Sequence, residues 1–133
     1  NFVLKLNDAW QDQVARLTDW VVPGFPRQVD FYREQAAEFR RKDQKVVVII
    51  SDALRYEVAE EALREIRKLN RFDADLKPMI GALPSYTQLG MAALLPHRQL
   101  AIRDDNDLVL LDGESTMGAA AREKALAAGM AGD

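Results

Sequence analysis

An α/β fold, with helices flanking a parallel sheet, is predicted by three observations. Residues 46–50 are five consecutive β-branched residues, the pattern of a strand buried on both faces. A helical pattern follows at once, and β-like and α-like stretches then alternate along the chain, as crossovers between parallel strands require. The length of 133 residues suits one structural unit that hides roughly two-thirds of its unfolded surface, so a core without covalent staples is feasible.

Taken in order, residues 3–22 carry Leu6, Trp10, Val14, Leu17 and Val21 on one face, which predicts an amphipathic helix. Pro23-Gly24-Phe25-Pro26 breaks it, and a second helix is expected over residues 27–42 with Phe31, Tyr32, Ala36 and Phe39 as its apolar positions. The two form a predicted N-terminal helical hairpin, residues 1–44, in which Trp10 and Trp20 serve packing. Residues 45–133 form the main unit. After its opening strand come a crossover helix at 54–69, with Glu60 four residues before Arg64, and a half-exposed edge strand at 72–80 that Pro78 limits. A fourth helix is expected from Ser85 to Leu95, because Ser85 and Gln88 match a capping box and Pro96 stops the pattern. Residues 99–102 and 108–111 are predicted strands, Asp112-Gly113 a turn, and the alanine-rich stretch 116–130 a final helix.

Bulk composition narrows the chemistry. No cysteine is present, which removes disulfides, thiolate metal sites and a thiol nucleophile, and predicts a reducing, cytoplasmic setting. The apolar runs are far shorter than a membrane span, and the start of the chain lacks an export signal. A net charge of −3 offers nucleic acid no general attraction. The basic cluster Arg40-Arg41-Lys42 sits where a helix should end, so it complements the helix dipole. The chain begins at Asn1 without an initiator methionine and stops at Asp133 straight after a helical pattern, as a piece of a longer protein would.

Asp52 stands where the strand pattern gives way to the helix pattern, the end of a parallel strand at which ligands collect. Two readings are open for it: an N-cap for the next helix, or a metal ligand or general base. Thr87, with Ser85 as cap, takes the second position of its helix, among unpaired N–H groups suited to an anion. A hydroxyl there could attack phosphorus if a divalent metal lowered its pKa, while the plainer reading is a solvated or back-bonded threonine. His97 is the only histidine, so neither a Ser-His-Asp triad nor a multi-histidine zinc site can be assembled without invoking it, and its place beyond Pro96 fits a surface or cap role. Asp112 and Glu114 flank Gly113 at a strand end, where a turn or a ligand pair would use the same residues.

Two blocks, VVVIISDALRYEVAEE from Val46 and LPSYTQLGMAALLP from Leu83, closely resemble the PglZ domain. This is a branch of the alkaline phosphatase superfamily found in BREX-type bacterial phage-defence systems, and the type A variety is most similar. The segment DGESTMGAAAREKAL from Asp112 resembles the family's next stretch, and FYRE from Phe31 is compatible with it. The resemblance implies a partial alkaline-phosphatase-like parallel sheet over residues 45–133. It implies a metal-dependent phosphoester hydrolase in which Asp52 binds a divalent metal (zinc, manganese or magnesium) and Thr87 is the metal-bound nucleophile. Ser85 is then spent on capping, and Arg55 either reaches a phosphate or remains solvated. Later strands in the superfamily add aspartates and histidines that this chain does not offer, so these residues alone are expected to be inactive. A non-catalytic scaffold domain that keeps the fold among other phage-defence proteins is the alternative.

Overall fold

The computed structural model describes residues 1–131. The last two residues of the predicted 45–133 unit lie outside the described residues. The elements in order are α1 (Phe2–Ala15), a 3-10 turn (Gln28–Asp30), a π-helical segment (Tyr32–Ala36), α2 (Ala37–Arg41), α3 (Tyr56–Arg67) and α4 (Thr87–Ala93). β1 (Leu100–Ile102), β2 (Val109–Leu111), β3 (Glu114–Ser115) and α5 (Gly118–Ala131) complete the chain. Mixed helix and sheet are thus both present. The sheet, however, is a three-stranded antiparallel one in the order β1-β2-β3, and the expected parallel sheet does not appear among the described residues.

The packed region lies between α4 and this sheet. Leu89, Ala92, Val109 and Leu111 are buried together, with Leu100, Ile102 and Ala125 against them. Leu100 pairs with Leu111 and Ile102 with Val109, so one face of the hairpin receives the helix. Asp112 and Gly113 have φ of 51° and 86°, the pair of left-handed conformations that a tight hairpin turn needs. Thr116, fully buried, satisfies its hydroxyl by donating to the Val109 carbonyl at 3.0 Å. In α5, Gly129 runs so close to Pro96 that a Cβ there would overlap the proline ring.

The N-terminal expectations hold in part. Asn1 caps α1 by accepting from the Val3 N–H, but the helix stops at Ala15 rather than at Val22. Thr18 and Asp19 are weak helix formers, and beyond them Trp20 donates its indole N–H to the Gly81 carbonyl at 2.7 Å, a contact that a continuing helix would forbid. Trp10 and Trp20 do pack, edge to face at 6.2 Å. No residue of α1 is buried, so the predicted hairpin is not a closed helical pair. Residues 28–41 are helical as expected, through three successive helix types.

Two predicted strands do not form. Residues 46–50 pair with nothing: Val47 and Ile49 are 85% and 88% exposed, while Val46, Val48 and Ile50 are 43%, 45% and 43% exposed. That period-two alternation is the signature of an extended chain, so the local tendency is expressed without a partner. Residues 72–80 also lack a ladder, and Phe72 is exposed. Only Ile80 is bridged, in parallel to Arg27, with Gln28 N–H donating to Ile80 and Ile80 N–H to Pro26, both at 2.8 Å. Among the described residues no helix is long and apolar enough to cross a membrane.

Candidate functional site: Asp52 and Thr87

Residue 52 follows the extended run and begins a turn that the Leu54 N–H closes on the Ser51 carbonyl at 3.4 Å. Ala53 sits at φ 56°, a left-handed conformation that costs a side-chain-bearing residue about 1 kcal/mol. The turn separates Asp52 from α3, whose N-cap is Arg55 without a side-chain cap. The N-cap reading of Asp52 is therefore overturned: its carboxylate does not close a helix.

It meets Thr87 instead. The Thr87 hydroxyl donates toward Asp52 Oδ2 at 3.2 Å, with Oδ1 at 3.5 Å, across 35 residues of chain. For an O–H···O contact this is long, so the bond is weak, and both residues are exposed. The value of the contact is positional. Two oxygens of different chemistry, one of a carboxylate and one of a hydroxyl, share a solvent-accessible point.

The capping arrangement differs from expectation. α4 begins at Thr87, its N-cap is Tyr86, and no side chain caps it. Ser85 precedes the cap, and Thr87 occupies the first helical position, not the second. The Tyr86 hydroxyl instead donates to the Asp107 carbonyl at 3.1 Å, and the amide nitrogen of Gln88 is buried without a partner. The capping box does not form: the Tyr86 carbonyl, not that of Ser85, accepts the first intrahelical bond, from the Gly90 N–H at 3.0 Å, so α4 starts one residue later than expected.

The other candidates take their plainer roles. Asp112 accepts from the Arg98 and Gln99 N–H groups at 3.0 and 2.8 Å, so its carboxylate organises the hairpin turn, and Glu114 pairs with Lys124 at 3.1 Å. His97 places Nδ1 2.7 Å from the Leu95 carbonyl, just past α4. Arg55 pairs with Glu57 at 3.1 Å on the surface. Asp30 is held below the usual carboxylate range, chiefly by the hydrogen bond from Arg27 and in spite of partial burial.

Asp52 and Thr87 offer two oxygen donors to a cation, of a kind that suits magnesium, manganese or zinc. That is fewer than a divalent ion takes from protein and water together, and no group of three or more histidine, aspartate or glutamate side chains gathers among the described residues. Asp52 and Thr87 by themselves do not make up a metal site among the described residues. A concavity of about 1270 Å³ lies elsewhere, between Tyr32, Pro96 and Ala125, and neither residue lines it. That concavity is lined by ion-paired and structural side chains such as Asp30, Lys124 and Asp112, whereas the Asp52 carboxylate and the Thr87 hydroxyl meet outside it. Sequence patterns did not point to Gln28 and Trp20, whose contacts with residues 81–90 span more than fifty residues and leave no local signature.

Comparison with known proteins is consistent with this picture. The family described as BREX system PglZ alkaline phosphatase-like domain matches residues 31–133. The chain is 46% identical over 131 residues to the alkaline phosphatase-like protein BrxZ of Escherichia coli O9:H4 (strain HS), covering 94% of this chain and 15% of that protein. It is 37% identical over 112 residues to the alkaline phosphatase-like protein PglZ of Bacillus cereus (strain H3081.97), covering 84% of this chain and 13% of that one. The chain therefore spans about one-seventh of the length of these relatives. No solved structure matches.

Proposed function

This chain belongs to the BREX system PglZ alkaline phosphatase-like domain family, and we propose that it supplies the nucleophile side of a metal-dependent phosphoester hydrolase. The observation that carries the reading is the approach of the Thr87 hydroxyl to the Asp52 carboxylate at 3.2 Å. Thr87 Oγ1 forms the bond to phosphorus as the bond to the ester oxygen breaks, the hydroxyl proton passing through solvent to the leaving oxygen; water then opens the phosphothreonine, releasing phosphate and restoring the hydroxyl. Asp52, accepting the hydroxyl hydrogen bond, fixes where that oxygen stands before attack. A divalent cation held by Asp52 and Thr87 would lower the hydroxyl pKa and neutralise phosphoryl charge.

The proposal extends to the setting. A parallel sheet forms around residues 46–50 when neighbouring strands are supplied, residues 1–44 act as a helical lead-in to the phosphatase-like unit at 45–133, and the protein works in the cytoplasm with other phage-defence proteins on a phosphoester substrate. Residues 1–133 alone are expected to bind metal weakly and to turn over little. The exposed apolar run at 46–50 also favours a second reading, a non-catalytic scaffold in which the phosphatase-like fold serves contacts only.

A phosphoesterase assay of the intact protein with magnesium, manganese and zinc separates the two. Thr87→Ala and Asp52→Ala should each lower metal-dependent turnover by at least about a hundredfold. Full activity in both variants would remove this site from consideration, and no turnover in any metal would leave the scaffold reading.

A further inference from the structure

We infer that Gln28 is a positioning residue for Thr87, acting through a two-point clamp that sets the start of α4. The inference rests on the reading of Thr87 as nucleophile. Gln28 Oε1 accepts from the Ala82 N–H at 3.0 Å and Gln28 Nε2 donates to the Gly90 carbonyl at 3.1 Å. These partners fix the orientation of the amide, since one needs an acceptor and the other a donor. Its own backbone N–H donates to Ile80 at 2.8 Å, and Trp20 reinforces the same stretch at Gly81.

The two attachment points bracket the nucleophile. Ala82 lies five residues before Thr87 and Gly90 three after it, so the clamp spans the whole connection and the first turn of the helix. α4 has special need of this. It is seven residues long and no side chain caps it, so neither propagation nor capping holds its start in place. Gln28 ties the segment before α4 to Gly90 within the helix from 54 and 62 residues away, and it lies before the family match begins at residue 31. The lead-in is thereby part of the site's support.

The test compares the intact protein with Gln28→Met, which keeps the shape and removes both hydrogen bonds, and Gln28→Glu, which keeps the acceptor and loses the donor. Amide exchange at Ala82 and Gly90 should rise roughly tenfold or more in Gln28→Met, while the β1–β2 amides stay unchanged. Metal-dependent kcat should fall about tenfold with KM within about twofold, and Gln28→Glu should lie between. Unchanged exchange at residues 82–90 overturns the clamp. A rise that extends equally into the β1–β2 pairing overturns local positioning in favour of general stability. Loosened exchange with full kcat, in a protein that Thr87→Ala inactivates, overturns positioning while sparing the nucleophile. Turnover that survives Thr87→Ala defeats the nucleophile reading, and with it the catalytic role of the clamp.

Discussion

Two apolar runs of similar composition meet opposite fates in this molecule. Residues 108–111 enter a hairpin whose Val109 and Leu111 are buried under α4, whereas residues 46–50 stay extended and exposed. The difference lies in the neighbours within reach. β2 finds β1 and β3 a few residues away on either side, joined by short turns, so pairing costs little loop entropy. The earlier run has no complementary strand within a short turn of it among the described residues, so pairing would need a longer connection. A strand-forming sequence thus gives extended backbone locally, and a strand only where partners arrive.

The largest expected effect would break this contrast if it failed. Leu89, 1% exposed at the centre of the packed region, should lose about 3 kcal/mol on replacement by alanine, read by denaturant unfolding of the 133-residue chain. Ile49→Ala, in the open run, should change stability by less than about 0.5 kcal/mol in the same experiment. Equal costs would mean that residues 46–50 are packed after all.

A smaller effect sharpens the boundary of the closed region. Asp30 accepts from Arg27 and Arg33 at 2.7 and 2.6 Å, and its pKa lies below the ordinary 3.8, first because of the Arg27 hydrogen bond. A depressed carboxylate pKa contributes stability that is present above the unfolded value and is lost as pH falls through the folded one. Asp30→Asn should therefore cost about 1 kcal/mol at neutral pH and nothing once the native carboxyl is protonated. Thermal unfolding of both proteins from pH 7 down to pH 2 checks this, since parallel curves throughout would exclude the pairing.

The smallest effect probes the turn that carries Asp52. Ala53 is left-handed without a glycine's freedom, so Ala53→Gly trades relief of strain against unfolded-state entropy. The net change should stay within about 1 kcal/mol, with the Asp52–Thr87 contact kept. A loss beyond 2 kcal/mol, measured by denaturant midpoint, would show that the Ala53 methyl group is packed in a way its exposure does not suggest.

What the chain determined by itself is what depends on near neighbours. α3 and α5 follow from helical spacing, the hairpin turn from Asp112-Gly113, and the family from two blocks around Asp52 and Thr87. Those blocks also identified the two residues that meet, although Thr87 is the first residue of its helix rather than the second, because Tyr86 and not Ser85 is the N-cap. Tertiary structure decided the rest. Whether residues 46–50 pair, whether residues 72–80 form a ladder and what anchors an uncapped α4 all turn on groups more than fifty residues apart or on strands that do not arrive. Periodicity records which face a residue prefers. It carries no record of the partner, because a hydrogen bond between distant segments constrains only two positions and leaves no repeat for the eye to follow.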